Sequence, residues 1–265
     1  MTPVTPVTPE EMAARADRRD ERGPFDIIGD VHGCYDELLE LLALLGYQPD
    51  EASAMRHPQG RCLVFVGDLV DRGPKITAAV TLARRMVDAE QAFCVPGNHD
   101  NKLFRYLLGH NVQIKHGLAE SIAQIEALPE PERADWIAAY ERFIGGLGTH
   151  LLLDGGQLAV AHAGIREDDQ GRDSPRIRAF TLYGIPTGEH DENGLPIRVN
   201  WAADYTGAAT VVYGHTPVAE PVWQNNTINI DTGCTFGGRL TALRWPEREL
   251  VSVPARRIYA VRGQK

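Results

Sequence analysis

The stretch over residues 61–74 limits most severely what this chain can fold into. Arg61-Cys62-Leu63-Val64-Phe65-Val66 is a short apolar run rich in β-branched residues. Such a run reads as a strand of a parallel sheet, buried on both faces. It stops at Gly67, and Asp68-Leu69-Val70-Asp71-Arg72-Gly73-Pro74 then places two carboxylates and a guanidinium on a tight turn. Open α/β sheets bind ligands at the carboxyl ends of their strands, so charge in that position marks a candidate site. The competing reading is a polar turn that caps the next helix, where Asp is common.

The pattern recurs. Phe25-Asp26-Ile27-Ile28 ends in Gly29-Asp30-Val31-His32-Gly33-Cys34, and Ala92-Phe93-Cys94-Val95 ends in Pro96-Gly97-Asn98-His99-Asp100. Leu38, Leu39, Leu41, Leu42 and Leu45 form a helical apolar face closed by Gly46; Ile76, Val80, Leu82 and Met86 form another. Three strand–turn–helix units in succession predict a parallel sheet with right-handed crossovers. Residues 103–144 read as broken helices that cap the site. A hairpin over residues 151–161 turns at Asp154-Gly155-Gly156 and leads into His162-Ala163-Gly164. Thr210-Val211-Val212-Tyr213 ends in Gly214-His215-Thr216-Pro217. Short strands are also expected over 227–230, 240–244 and 250–253, so the second half reads as a largely antiparallel sheet. The expected architecture is α/β, with two facing sheets flanked by helices.

With 265 residues, 43% of them hydrophobic, the chain can bury an ample core. Residues 1–22 begin with a Thr-Pro-Val repeat and continue as a highly charged run. They are expected to be a disordered or linker segment ahead of a domain over 23–265. No apolar run approaches the ~18 residues needed to span a bilayer, and no signal pattern opens the chain, so a cytoplasmic location without a membrane partner is expected. Cys34, Cys62, Cys94 and Cys234 lack paired spacing and read as reduced core thiols. The net charge of −9 argues against broad contact with long nucleic acid, though one local cationic site can still hold a small phosphorylated group.

Five strand ends carry potential ligands: Asp30 and His32, Asp68, Asn98, His162, and His215. Oxygen and imidazole donors suit borderline divalent metals, and the lack of thiolate argues against structural zinc. Two ions about 3.5–4 Å apart need a shared carboxylate, for which Asp68 is the candidate. Each residue alone has a plainer explanation: a surface His, a capping Asp, an Asn in a left-handed turn. Six of them beside glycines or other small residues do not, since glycine permits the close backbone approach a metal cluster needs.

These five motifs, in this order, resemble the calcineurin-like metallophosphoesterases of the phosphoprotein-phosphatase-like branch. The resemblance implies a four-layer α/β/β/α sandwich with a dinuclear metal site. It places Asp30 and His32 on the first ion, Asp68 between both, and Asn98, His162 and His215 on the second. Manganese is the first candidate, with nickel, iron, zinc and cobalt as alternatives. It makes His99 the general acid, Asp71 the group that orients it and supports its charged form, and Arg72 the phosphate clamp. It also implies attack by a metal-activated water and a second phosphate-binding arginine, for which Arg166, Arg172, Arg176 and Arg178 are the candidates.

The stretches His116-Gly117-Leu118, Leu182-Tyr183-Gly184, Asn200-Trp201-Ala202-Ala203-Asp204-Tyr205 and Asp231-Thr232-Gly233-Cys234 are similar to two relatives. One is the central phosphatase domain of bacterial polynucleotide kinase-phosphatase; the other is a stand-alone phosphatase related to asymmetric diadenosine tetraphosphate hydrolase. Asp100 and residues 220–226 look more like the former. That resemblance implies removal of 2′,3′-cyclic, 2′- or 3′-phosphates from RNA ends, with Asp231 in the active site. Phosphorylated RNA ends or nucleotides are then the substrates, and kinase and ligase modules, fused or in trans, are the expected partners. A diadenosine tetraphosphate hydrolase would instead need an adenine-stacking pocket, with Trp201, Tyr183 and Phe180 available for it. A serine/threonine protein phosphatase and a non-enzymatic metal-stabilised binding module are the remaining alternatives.

Overall fold

The computed structural model describes residues 8–191 and 196–263. The first half runs through α1 (Pro9–Ala16), β1 (Phe25–Ile28), α2 (Tyr35–Leu45), a small hairpin of β2 (Gln48–Asp50) and β3 (Ala54–Arg56), β4 (Cys62–Phe65), α3 (Ile76–Asp88) and β5 (Ala92–Cys94). Three helices follow: α4 (Asn98–Leu107), α5 (Leu118–Glu126) and α6 (Glu132–Gly146). The second half holds β6 (His150–Leu153), β7 (Leu158–Ala161), α7 (Pro175–Tyr183), a hairpin of β8 (Pro186–His190) and β9 (Pro196–Arg198), β10 (Thr210–Tyr213), β11 (Trp223–Gln224), β12 (Thr227–Asn229), β13 (Arg239–Trp245) and β14 (Glu249–Pro254).

Two five-stranded sheets result, in the orders β14-β13-β1-β4-β5 and β11-β12-β10-β7-β6. In the first, β1, β4 and β5 are parallel, as the repeated strand–turn–helix pattern predicts. The second corrects the sequence expectation. It is not largely antiparallel, because β7, β10 and β12 are parallel and only β6 and β11 run against them. The last two strands also leave that sheet. β13 pairs with β1, with Trp245 opposite Phe25 and Ala242 opposite Ile28. This register delivers Trp245 and Leu243 to the space between the sheets, where Phe25 and Ile27 already lie.

The period-2 alternation of each strand sorts its side chains between layers. Phe25, Ile27, Val64 and Val66 meet Leu151, Leu153, Val160, Val212 and Ile228 between the sheets. Ile28, Leu63 and Phe65 point the other way, into Leu38, Leu41 and Leu42 of α2 and Ile76, Val80 and Ala83 of α3. Beyond the second sheet, Ala159, Ala161 and Val211 pack on Ile177 of α7 and on Tyr205. These are the four α/β/β/α layers. No helix among the described residues is long and apolar enough to cross a membrane.

Part of the segment before residue 23 is helical and packs on the domain. Thr8 caps α1 in a capping box with Glu11, and the i, i+4 pair Met12 and Ala16 is buried. Arg18 then donates its backbone N–H to Leu152 O at 3.0 Å, so the segment covers the edge strand β6. Residues 1–7, expected to be extended, lie outside the described residues.

Candidate active site

The parallel strands of both sheets end on one side of the sandwich. β1 delivers Asp30 and His32 there, β4 Asp68, β5 the α4 start at Asn98 and His99, β7 His162, and β10 His215. The connecting backbone is strained: His32, Asp68, Asp71, Arg72 and His215 all hold positive φ, between 43° and 73°. Each such residue costs on the order of 1 kcal/mol or more and is held by its surroundings. Several glycines here are required by proximity alone, two of them against the candidate ligands themselves. A Cβ at Gly97 would lie 2.0 Å from Asp68 Oδ1, and one at Gly214 would lie 2.0 Å from Asp30 Oδ1.

Backbone carbonyls aim the imidazoles. His162 Nδ1 lies 3.1 Å from Val66 O and His32 Nδ1 lies 2.7 Å from Val70 O. Donation through Nδ1–H leaves both Nε2 lone pairs facing the cluster. His162 Nε2 is 3.1 Å from Asn98 Oδ1, 3.0 Å from His215 Nδ1 and 3.5 Å from Asp68 Oδ2. Asp68 Oδ2 is also 3.5 Å from His32 Nε2, so one carboxylate oxygen lies between the two imidazoles. Acceptors thus converge with too few protons to pair them, and the buried His215 Nε2 has no hydrogen-bond partner. A divalent cation fits this donor set. Two candidate triads, Asp68/His162/His215 and His32/Asp68/His99, each keep their ligand atoms within 4.8 Å and share Asp68. Asp30 lies beside them, accepting from the His215 backbone N–H at 3.2 and 3.3 Å.

The electrostatics also suit a cation. Burial raises the Asp30 carboxyl well above its ordinary range, and the charges of Asp231 and Asp68 add to the effect. Burial pushes Asp68 up to about 8 and Asp231 to about 6, and lowers His162 to about 4. Asp231 follows β12, the neighbour of β10, and accepts from Gly233 N–H at 3.0 Å. The fold therefore brings it to the same end of the sandwich, beside Asp30.

His99 Nδ1 meets Asp71 Oδ2 at 2.5 Å. Ser121 on α5 braces that carboxylate: its hydroxyl donates to Asp71 Oδ1 at 2.5 Å and accepts from the Asp71 backbone N–H at 3.0 Å. Arg72 donates one arm to His32 Nε2 at 2.6 Å and the other to His99 Nε2 at 2.8 Å, with its guanidinium over the Phe236 ring. In this geometry His99 is neutral, because burial and then the Arg72 charge push its pKa well below the usual value. Burial raises Asp71 to about 7. Asp100 ties two strand-end loops together by accepting from Leu69 N–H and Gly97 N–H.

A cleft of about 780 Å³ opens over Asp68, Asn98, His99 and His215. It is lined by four cations, Arg72, Lys115, Arg198 and Arg262. None of Arg166, Arg172, Arg176 and Arg178 lines it. Arg176 pairs with Asp169 at 2.6 Å, Arg178 with Asp173 at 2.5 Å, and Arg166 sits over the Phe180 ring. The arginine that reaches the cleft between the last two histidine motifs is Arg198 on β9, held by Nε donation to Tyr183 O at 2.7 Å. Its place in the chain was the available signal; Ser121 had none. The trio Trp201, Tyr183 and Phe180 does not line the cleft either. Trp201 and Phe180 pack edge to face in the outer layer.

The family model for calcineurin-like phosphoesterases matches residues 23–219. The chain belongs to that family. As a calcineurin-like phosphoesterase it is a metal-dependent phosphoric ester hydrolase. It is 51% identical over 232 residues to a protein of Halalkalibacterium halodurans named bis(5′-nucleosyl)-tetraphosphatase PrpE [asymmetrical], covering 88% of this chain and 94% of that one. The protein of the same name from Bacillus subtilis is 48% identical over 231 residues, with 87% and 94% covered. A crystal structure described as that of "a putative diadenosine tetraphosphatase" superposes with a TM-score of 0.63 at 27% identity, covering 91% of this chain and 97% of its own. These relatives overturn the expectation of RNA end repair. The match runs over 94% of each relative, which leaves those relatives little length for a fused kinase or ligase.

Proposed function

We propose that this calcineurin-like phosphoesterase is an asymmetric dinucleoside tetraphosphate hydrolase. The observation that carries the reading is identity near 50% across almost the full length of relatives with that activity in their names. Asymmetric hydrolysis adds one water across one P–O–P linkage and yields unequal nucleotides, a triphosphate and a monophosphate. The cleft supports it: Lys115, Arg198 and Arg262 stand in its wall with Arg72, and a tetraphosphate chain needs positive charge beyond the reacting centre.

Asp30, His32, Asp68, Asn98, His162 and His215 would hold two divalent ions, with Asp68 between them. Manganese is the first candidate, and nickel, iron, zinc or cobalt would suit the same nitrogen and oxygen donors. Bound there, such ions supply Lewis acidity and a water of lowered pKa. Arg72 is the clamp: its planar fork, resting on His32 Nε2 and His99 Nε2, can transfer to two phosphate oxygens. The transfer frees His32 Nε2 to act as a ligand and His99 Nε2 to hold a proton. Asp71 then keeps the ring oriented and offsets its charge, so His99 can give that proton to the departing phosphate oxygen. Arg198 is the second phosphate-binding arginine, and Asp231 supports the carboxylate side of the centre.

Anion-exchange separation of the products of manganese-loaded enzyme and diadenosine tetraphosphate tests this. Equal amounts of ATP and AMP are expected, with activity lost to a chelator and restored by added metal. Two molecules of ADP, or faster hydrolysis of 2′,3′-cyclic AMP or a phosphoserine peptide, would sink the reading.

A further inference from the structure

The chain does not stop at β14. It turns back over α2 and runs along the mouth of the cleft, where Tyr259, Ala260, Val261, Arg262 and Gly263 form part of the wall. Three sets of hydrogen bonds tie this strap down, beside the ion pairs of Arg256 with Asp36 and Glu40. Ala255 N–H donates to Gly238 O at 2.9 Å, and the N–H groups of Tyr259 and Ala260 both donate to Thr235 O at 3.0 Å. The third tie is Glu37 on α2. Its Oε1 accepts from Arg256 N–H at 3.0 Å and from Tyr259 Oη at 2.6 Å.

Glu37 is fully buried, and its second oxygen has no hydrogen-bond partner. Leaving such an atom unpaired is costly, and a hydrophobic helix face would be more stable with Leu there. The catalytic centre does not use Glu37. Its visible work is to accept two donors from the strap.

The strap carries two features into the cleft. Arg262 is close enough to Asp231 for its charge to favour the ionised carboxylate, yet it belongs to none of the strand-end motifs. Val261 is 57% exposed and shares the cleft wall with Ile114 (53%) and Ile197 (39%). Three branched aliphatics from three separate segments stand in solvent in the wall of one cleft, where a flat apolar partner could cover them.

We propose that residues 255–263 are a nucleotide-recognition strap. Arg262, on the Asp231 side of the centre, binds a phosphate of the polyphosphate chain that a small ester lacks, and Val261, with Ile114 and Ile197, receives a nucleobase face. Glu37 and Tyr259 are positioning residues that hold the strap in place. The proposal rests on the dinucleoside tetraphosphate reading and adds how the long substrate is told from a small phosphate ester.

The test compares kcat and KM for diadenosine tetraphosphate and p-nitrophenyl phosphate in the wild type, Arg262→Ala, Tyr259→Phe and Glu37→Gln. Loss of one charge-assisted phosphate contact should raise KM for the dinucleotide about tenfold in Arg262→Ala, with a smaller change in kcat. The ratio of the two kcat/KM values should fall by a similar factor. Tyr259→Phe should shift the same ratio about threefold, and it guards against a Glu37→Gln chain that fails to fold. An unmoved ratio, an equal fall on both substrates, or faster dinucleotide turnover in Arg262→Ala would each overturn the strap. Wild-type enzyme with no dinucleotide turnover would instead sink the substrate reading and the strap with it.

Discussion

Removing one hydroxyl from α5 should loosen the proposed catalytic pair, His99 and Asp71, without touching a proposed metal ligand. Ser121 and Asp71 are both fully buried, so water cannot replace what Ser121→Ala removes. Two bonds disappear: the 2.5 Å donation to Asp71 Oδ1 and the 3.0 Å acceptance from Asp71 N–H. A hydrogen bond to a carboxylate contributes about 1.5–3 kcal/mol, and a buried unpaired N–H costs about 1–3 kcal/mol. The two losses share one site and do not add fully, so a destabilisation of about 3 kcal/mol follows. At the usual entropy per residue, that lowers the melting temperature of a 265-residue chain by about 5 °C. Asp71 would then hold His99 less firmly, and kcat should fall about tenfold with KM little changed. Urea denaturation and steady-state kinetics on diadenosine tetraphosphate measure both effects, and Ser121→Thr, which keeps the hydroxyl, should recover most of each. A stability loss under about 0.5 kcal/mol with unchanged kcat would refute the argument, because so small a loss is ordinary for a surface substitution.

Gly97→Ala should abolish metal loading, since its Cβ would fall 2.0 Å from Asp68 Oδ1 and 2.3 Å from Asp68 N; metal content by mass spectrometry after dialysis reads this, and normal content would count against the crowding. Arg61→Ala should cost about 3–5 kcal/mol in urea titration, because Arg61 is the principal cation on the fully buried Asp26 and also binds Phe25 O and Trp245 O. Arg244 and Tyr47 remain on that carboxylate, so a loss under 1 kcal/mol would mean they suffice. His150 should make the protein acid-sensitive. Burial lowers its pKa from 6.5 to about 4, and Gly171 N–H donates to Nε2, so the folded state keeps it neutral. Its contribution is therefore complete above pH ~6.5 and is lost as pH falls through about 4. Between pH 7 and 4.5 this removes about 2 kcal/mol, and His150→Gln should flatten that part of the pH–stability curve. An unaltered slope would assign the acid sensitivity to other groups.

The family and the strand ends that carry the candidate site were legible in one dimension. Apolar β-branched runs ending in glycine and then Asp, His or Asn mark strand ends directly, because strand propensity, the turn and the ligand all lie within about ten residues. So β1, β4 and β5 with their helices could be read before any contact was known, and Asp30, His32, Asp68, Asn98, His99, His162 and His215 could be nominated as the proposed site residues. Their convergence is a property of the fold: six parallel strands in two sheets end on the same side. Substrate was not legible in the same way. The proposed metal-binding motifs would serve any phosphoester, and near-full-length relatives were needed to move the reading from RNA ends to dinucleoside tetraphosphates.

What only the tertiary structure decided depends on partners far apart in the chain. β13 looked like any other late strand, yet it pairs with β1 across about 220 residues of sequence because Trp245 and Leu243 fill the space beside Phe25 and Ile27. Arg198 lines the cleft and its four neighbours do not; Asp169 and Asp173 engage Arg176 and Arg178 elsewhere. Ser121 reaches Asp71 across 50 positions, and Glu37 reaches Tyr259 across 222. No local pattern encodes such pairs, since each side chain alone is an unremarkable helix or loop residue. They become functional only when packing of the apolar faces brings two distant polar groups within hydrogen-bond range and excludes the water that would otherwise satisfy them.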